Sequence, residues 1–147
     1  MPTADSDSPS PTSIESLQRV AALIDSGQAE AALTLARDLF ARGDVPPWLV
    51  ADLCNLAGVA ALALGLDTVA EQMWRHAIAS NWQLATVHAQ LGRLLARQQR
   101  DDEAEACCRA ALACDERYLD ALLTLCSRCR LICRRFRSRT SASPRRW

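Results

Sequence analysis

Between Ala51 and Tyr118 the pattern of apolar and polar positions is written twice, at a spacing of thirty-four residues. From Ala51 the chain reads ADLCNLAGVAALALGLDTVAEQMWRHAIASNWQL, and from Ala85 it reads ATVHAQLGRLLARQQRDDEAEACCRAALACDERY. Gly58 falls on Gly92, Ala70 on Ala104, Glu71 on Glu105, Trp74 on Cys108, Arg75 on Arg109 and Ala77 on Ala111. Apolar residues three, four and seven apart predict helices, and a fixed period of this length predicts a stacked array whose units bury their apolar faces on their neighbours.

Residues 1–11 are rich in Pro, Ser and Asp and are expected to be disordered. Thr12 and Glu15 have capping-box spacing, and Leu17, Val20, Ala21 and Ile24 then form a helical stripe that ends near Ser26-Gly27. A second helix from about Gln28 carries Ala32, Leu35, Ala36, Leu39 and Phe40 and stops at Arg42-Gly43-Asp44. Aligning Gly27 with Gly65 makes residues 13–43 a degenerate earlier copy with four extra residues after it. Pro46-Pro47 suits the start of a helix, where the missing N–H costs nothing. That helix is predicted from about Trp48 to Leu64, its partner to about Ala79, and the next hairpin as Ala85–Gln98 and Glu103–Cys114. Thr68 with Glu71, and Asp102 with Glu105, repeat the capping-box spacing. From residue 118 a terminal helix is predicted, with Leu122, Leu125, Cys126, Cys129, Ile132, Cys133 and Phe136 on one stripe. The expected hairpins are thus about 13–43, 48–80 and 84–114, in one repeat domain over 12–130.

These residues resemble the tetratricopeptide repeat family, well over 50–130 and weakly over 13–48. The family pattern W-x2-L-G-x2-Y followed by A-x3-F is matched by Leu91-Gly92 and Leu95, then Ala104, Cys108 and Ala111. The first copy matches with Ala57-Gly58 and Ala61, then Ala70, Trp74 and Ala77. The first-helix Trp, the Tyr and the proline at the repeat end are missing. The resemblance implies an all-α, right-handed α-solenoid of about three antiparallel hairpins plus a terminal helix. It further implies a concave groove, lined by the first helix of each hairpin, that receives a peptide or partner helix. The family's groove positions carry over to Asp52, Asn55, Val59, Thr86, Gln90, Arg93 and Arg97. Gly58 and Gly92 are expected to let the second helix of each hairpin approach closely at Ala70 and Ala104, since glycine inside a helix costs about 1 kcal/mol against alanine and needs a compensating role.

Composition sharpens the picture in a few places. The 147 residues are one domain's worth, half of them hydrophobic, and every basic residue is arginine. All 17 acidic residues lie at or before Asp120 with 9 arginines, a net of −8, and the other 8 arginines follow from Arg128 with no acid among them, a net of +8. The N-terminus has no signal-peptide pattern and no apolar run is long enough to span a bilayer, so the seven cysteines are expected as reduced thiols in the cytoplasm.

No cofactor, metal or catalytic constellation is assigned. Cys126, Cys129 and Cys133 with Cys114 lack the paired spacing of zinc-finger type, and the first three fall on the apolar stripe. His76 and His88 have no nucleophile and orienting acid around them, which leaves packing or surface roles. The expected function is a non-enzymatic, cytoplasmic protein-interaction scaffold. Two alternatives are weighed against it. One is that this is the N-terminal repeat region of a longer enzyme, such as the repeat-bearing glycosyltransferases it resembles, with Arg-rich residues 131–147 read out of frame. The other is polyanion binding, to nucleic acid or membrane, through that tail.

Overall fold

The computed structural model describes residues 11–43 and 45–117, and all regular structure in them is helical. Six helices follow in order: α1 (Pro11–Asp25), α2 (Ala29–Arg42), α3 (Pro47–Ala63), α4 (Asp67–Ser80), α5 (Ala85–Arg97) and α6 (Asp101–Cys114). They start and end within two residues of the expected positions. The expected terminal helix from 118, its cysteines and the arginine tail lie outside the described residues. The chain divides into two compact units, one through Ser80 and one from Asn81.

α1–α2, α3–α4 and α5–α6 pack as pairs, each joined by a three-residue turn. The three turns are built alike. Gly27, Gly65 and Gln99 hold φ of 78°, 74° and 64°, in the left-handed region. Around them the N–H groups of Gln28, Leu66 and Arg100 donate to the carbonyls of Leu23, Ala61 and Leu95 at 2.8, 2.9 and 3.0 Å. These are the six-to-one bonds that close a helix end around a left-handed residue. One turn further on, the N–H groups of Ala32, Ala70 and Ala104 donate to the carbonyls of Gln28, Leu66 and Arg100, each at 3.0 Å. All three alanines are fully buried.

The turn itself therefore sets where the second helix starts, and the expected capping boxes do not. α4 begins at Asp67 and α6 at Asp101, so Thr68 and Asp102 lie inside the first turn. The N-cap position of α6 is Arg100, which makes no side-chain cap bond. α1 likewise begins before Thr12. The helices that follow a turn keep acidic residues in the first turn, Glu30, Asp67 and Asp101–Glu103, where they meet the positive end of the helix dipole.

Gln99 is the only described non-glycine residue with positive φ. An L side chain in that region costs about 1 kcal/mol, which glycine avoids. Gln99→Gly is accordingly expected to raise the unfolding free energy by about 0.5–1 kcal/mol, and Gly65→Ala to lower it by about 1 kcal/mol, both read by urea denaturation.

In the first unit α3 is central, packing against α1, α2 and α4. It carries no basic residue and one acid, Asp52, and a helix apolar all round is one that others cover. Leu53, Ala57 and Ala60 of α3 join Val20, Ala32 and Ala36 in a single core cluster. In the second unit Val87, Leu91, Leu94 and Leu95 of α5 and Ala104, Cys108 and Ala111 of α6 are buried.

Candidate functional site

The eight repeat positions Gly58, Ala70, Trp74, Ala77, Gly92, Ala104, Cys108 and Ala111 are all buried. Their surroundings differ in one respect that matters. A Cβ on Gly92 would lie 3.2 Å from Cys107 Cβ and 3.4 Å from the Ala104 carbonyl oxygen, the close helix approach expected there. A Cβ on Gly58 would instead lie 2.5 Å from Trp74 Nε1 and 2.8 Å from Trp74 Cδ1. Gly58 makes room for an indole, not for Ala70, because Trp74 stands where the second copy has Cys108.

The repeated Glu and Arg are surface pairs. Arg75 Nη2 lies 2.8 Å from Glu71 Oε1, and Arg109 pairs in the same way with Glu105. Such pairs four residues apart, with the acid first, stabilise a helix by about 0.3–0.5 kcal/mol. Their recurrence comes from helix geometry and marks no ligand.

The histidines separate. His76 is exposed, whereas His88 is buried and its Nε2 donates to the Trp82 carbonyl at 2.8 Å. A carbonyl can only accept, so that nitrogen carries the proton. Cys114 Sγ donates to the same oxygen at 3.4 Å. Together α5 and α6 pin the segment before α5, which leaves the Trp82 indole exposed. Trp48, thirty-four residues earlier, is also exposed. Among the described residues no cluster of His, Cys, Asp or Glu could hold a metal ion. Burial pushes the Cys54 thiol above its usual pKa, which leaves it protonated and poorly nucleophilic.

The expected groove residues fall in both units. On α3, Asp52, Asn55 and Val59 are spaced to share one face: Asp52 is exposed, and Asn55 and Val59 are half-buried. On α5, Thr86, Gln90, Arg93 and Arg97 do the same: Thr86 and Arg97 are exposed, and Gln90 and Arg93 half-buried. Each row interrupts a helix whose other faces are largely buried. Two members stand out. Asn55 Oδ1 and Gln90 Oε1 are shut off from solvent and accept no hydrogen bond from the described residues. A buried acceptor left without a donor costs about 1–3 kcal/mol, and nothing in the bare sequence marks these two amides apart from the other polar groove positions.

Among the described residues no helix is long and apolar enough to cross a membrane. The chain matches no protein-family model, no curated protein sequence and no solved structure.

Proposed function

We propose that this chain is a protein-interaction scaffold of the tetratricopeptide-like, right-handed α-solenoid type, which holds a peptide or partner helix against the first helices of its hairpins. The recurrence of one turn geometry at Gly27, Gly65 and Gln99 supports the repeat. The observation that carries the function is the pair of desolvated acceptors, Asn55 Oδ1 and Gln90 Oε1, each on the expected groove face of its own helix. An extended peptide brings backbone N–H groups, which these oxygens meet by rotation of the half-buried amides out to the groove surface. Arg93 and Arg97 add cationic donors on α5 for an acidic side chain or a terminal carboxylate. No bond is made or broken, and the seven thiols suit a reducing cytoplasm.

The signs of two effects test this reading. Peptides are selected from a displayed random library on the purified chain, and their affinity is measured by fluorescence polarisation. Asn55→Leu and Gln90→Leu are each expected to weaken binding about tenfold while raising the unfolding free energy by about 1–2 kcal/mol, because an unsatisfied buried acceptor is removed. Asn55→Ala combined with Arg93→Ala is expected to abolish capture. Affinity unchanged by these substitutions, or stability lost with each leucine, would show the amides to be ordinary packing residues.

A further inference from the structure

The first unit contains a cleft of about 650 Å3 between α2 and α4. Both helices pack on α3 and make little contact with one another, so a gap stays open along that side. Its walls are Leu33 and Phe40 of α2, Leu64 and Leu66 at the α3–α4 turn, and Val69 and Met73 of α4. Leu64 and Leu66, on either side of Gly65, are 40% and 42% exposed and carry the apolar wall out to the surface. The volume lies within the range of about 300–1,000 Å3 typical of small-molecule sites, which are largely apolar with a few placed polar groups.

The polar groups are segregated. Glu30, Thr34 and Arg37 are the only ones in the lining, and all three lie on α2. Thr34 Oγ1 already donates to the Glu30 carbonyl at 2.9 Å. Glu30 and Thr34 also line an adjoining, more open recess with Gln28 and Asp38, whereas Arg37 lines only the apolar cleft. Arg37 sits one turn from Leu33 on one side and from Phe40 on the other, so a head group held by its guanidinium places an attached chain against apolar walls. Glu30 is two turns away, about 10 Å along the helix axis, too far to repel that head strongly in water.

We propose that this cleft binds a single-chain amphiphile with an anionic head, a medium- or long-chain carboxylate, with the tail against Leu33, Phe40, Leu66 and Met73 and the carboxylate paired with Arg37. This site is separate from the amide-bearing face of α3 and does not depend on the scaffold reading.

Titration calorimetry of the full chain with decanoate, octanoate and decyltrimethylammonium, each below its critical micelle concentration, and with decanol below its solubility limit, tests the assignment. Decanoate is expected to bind saturably at one site, and octanoate about tenfold more weakly for its two fewer methylene groups. Arg37→Gln is expected to weaken decanoate about fivefold and leave decanol unchanged, because an exposed charge pair is worth about 1 kcal/mol. Leu66→Asp, at an exposed position and with its helicity checked by circular dichroism, is expected to weaken both. The proposal is overturned by non-saturable binding, by affinity for decyltrimethylammonium equal to or above that for decanoate, or by indifference to either substitution.

Discussion

Trp74→Ala is expected to lower the unfolding free energy by about 3–5 kcal/mol, the largest single effect available in the described chain. Trp74 is the largest side chain with no exposure at all, and it sits between α4 and the glycine surface of α3. Small domains have only about 5–15 kcal/mol in total, so the variant should melt at a much lower denaturant concentration in urea titrations. Trp74→Phe is expected to cost far less. It keeps most of the ring volume and removes Nε1, a buried N–H with no hydrogen-bond partner among the described residues, whose burial itself costs about 1–3 kcal/mol. A Trp74→Phe variant as damaged as Trp74→Ala would mean that the indole nitrogen has a partner in solution.

Gly58→Ala is expected to destabilise by about 2–3 kcal/mol, whereas Gly92→Ala stays within about 1 kcal/mol of the parent. Alanine gains about 1 kcal/mol over glycine inside a helix at either position. At Gly92 that gain meets contacts of 3.2 and 3.4 Å, which a few tenths of an ångström of movement relieve. At Gly58 the new carbon meets three indole atoms at 2.5–2.8 Å, on a ring with no room to retreat. The clash belongs to the pair of residues, so a double-mutant cycle isolates it. In a Trp74→Cys background, which copies the second hairpin, Gly58→Ala should cost no more than Gly92→Ala, a coupling of about 2 kcal/mol. Equal costs at Gly58 in both backgrounds would sink the indole explanation and return the glycine to the backbone approach expected from sequence.

Much of the architecture was legible in the residue pattern. Six helices follow from apolar residues three and four apart and from the breaks at Gly27, Gly43 and Gly65, because helix and turn preferences are local. Two local expectations failed for a local reason. Thr68 and Asp102 have capping-box spacing, yet the six-to-one bond at the preceding turn already places the helix start two residues earlier. Gln99 takes the left-handed position where the first copy has Gly65, so the third turn keeps its geometry without its signal residue.

The candidate site was legible only as a row of mostly polar positions. Asp52, Asn55, Val59, Thr86, Gln90, Arg93 and Arg97 follow from the family resemblance, which treats them alike. Solvent access does not: Asp52 and Arg97 are exposed, while Asn55 and Gln90 have an oxygen sealed off.

The sequence alone therefore determined the helices, their pairing into hairpins and the small residues at the contacts, because these rest on interactions within a few residues of one another. Only the tertiary structure decided that Gly58 accommodates an indole sixteen residues away, that His88 and Cys114 converge on the carbonyl of Trp82, that two amide oxygens lose their water, and that α2 and α4 leave an apolar cleft between them. Packing and desolvation are set by elements brought together from separate parts of the chain, and no local pattern records what a side chain will meet there.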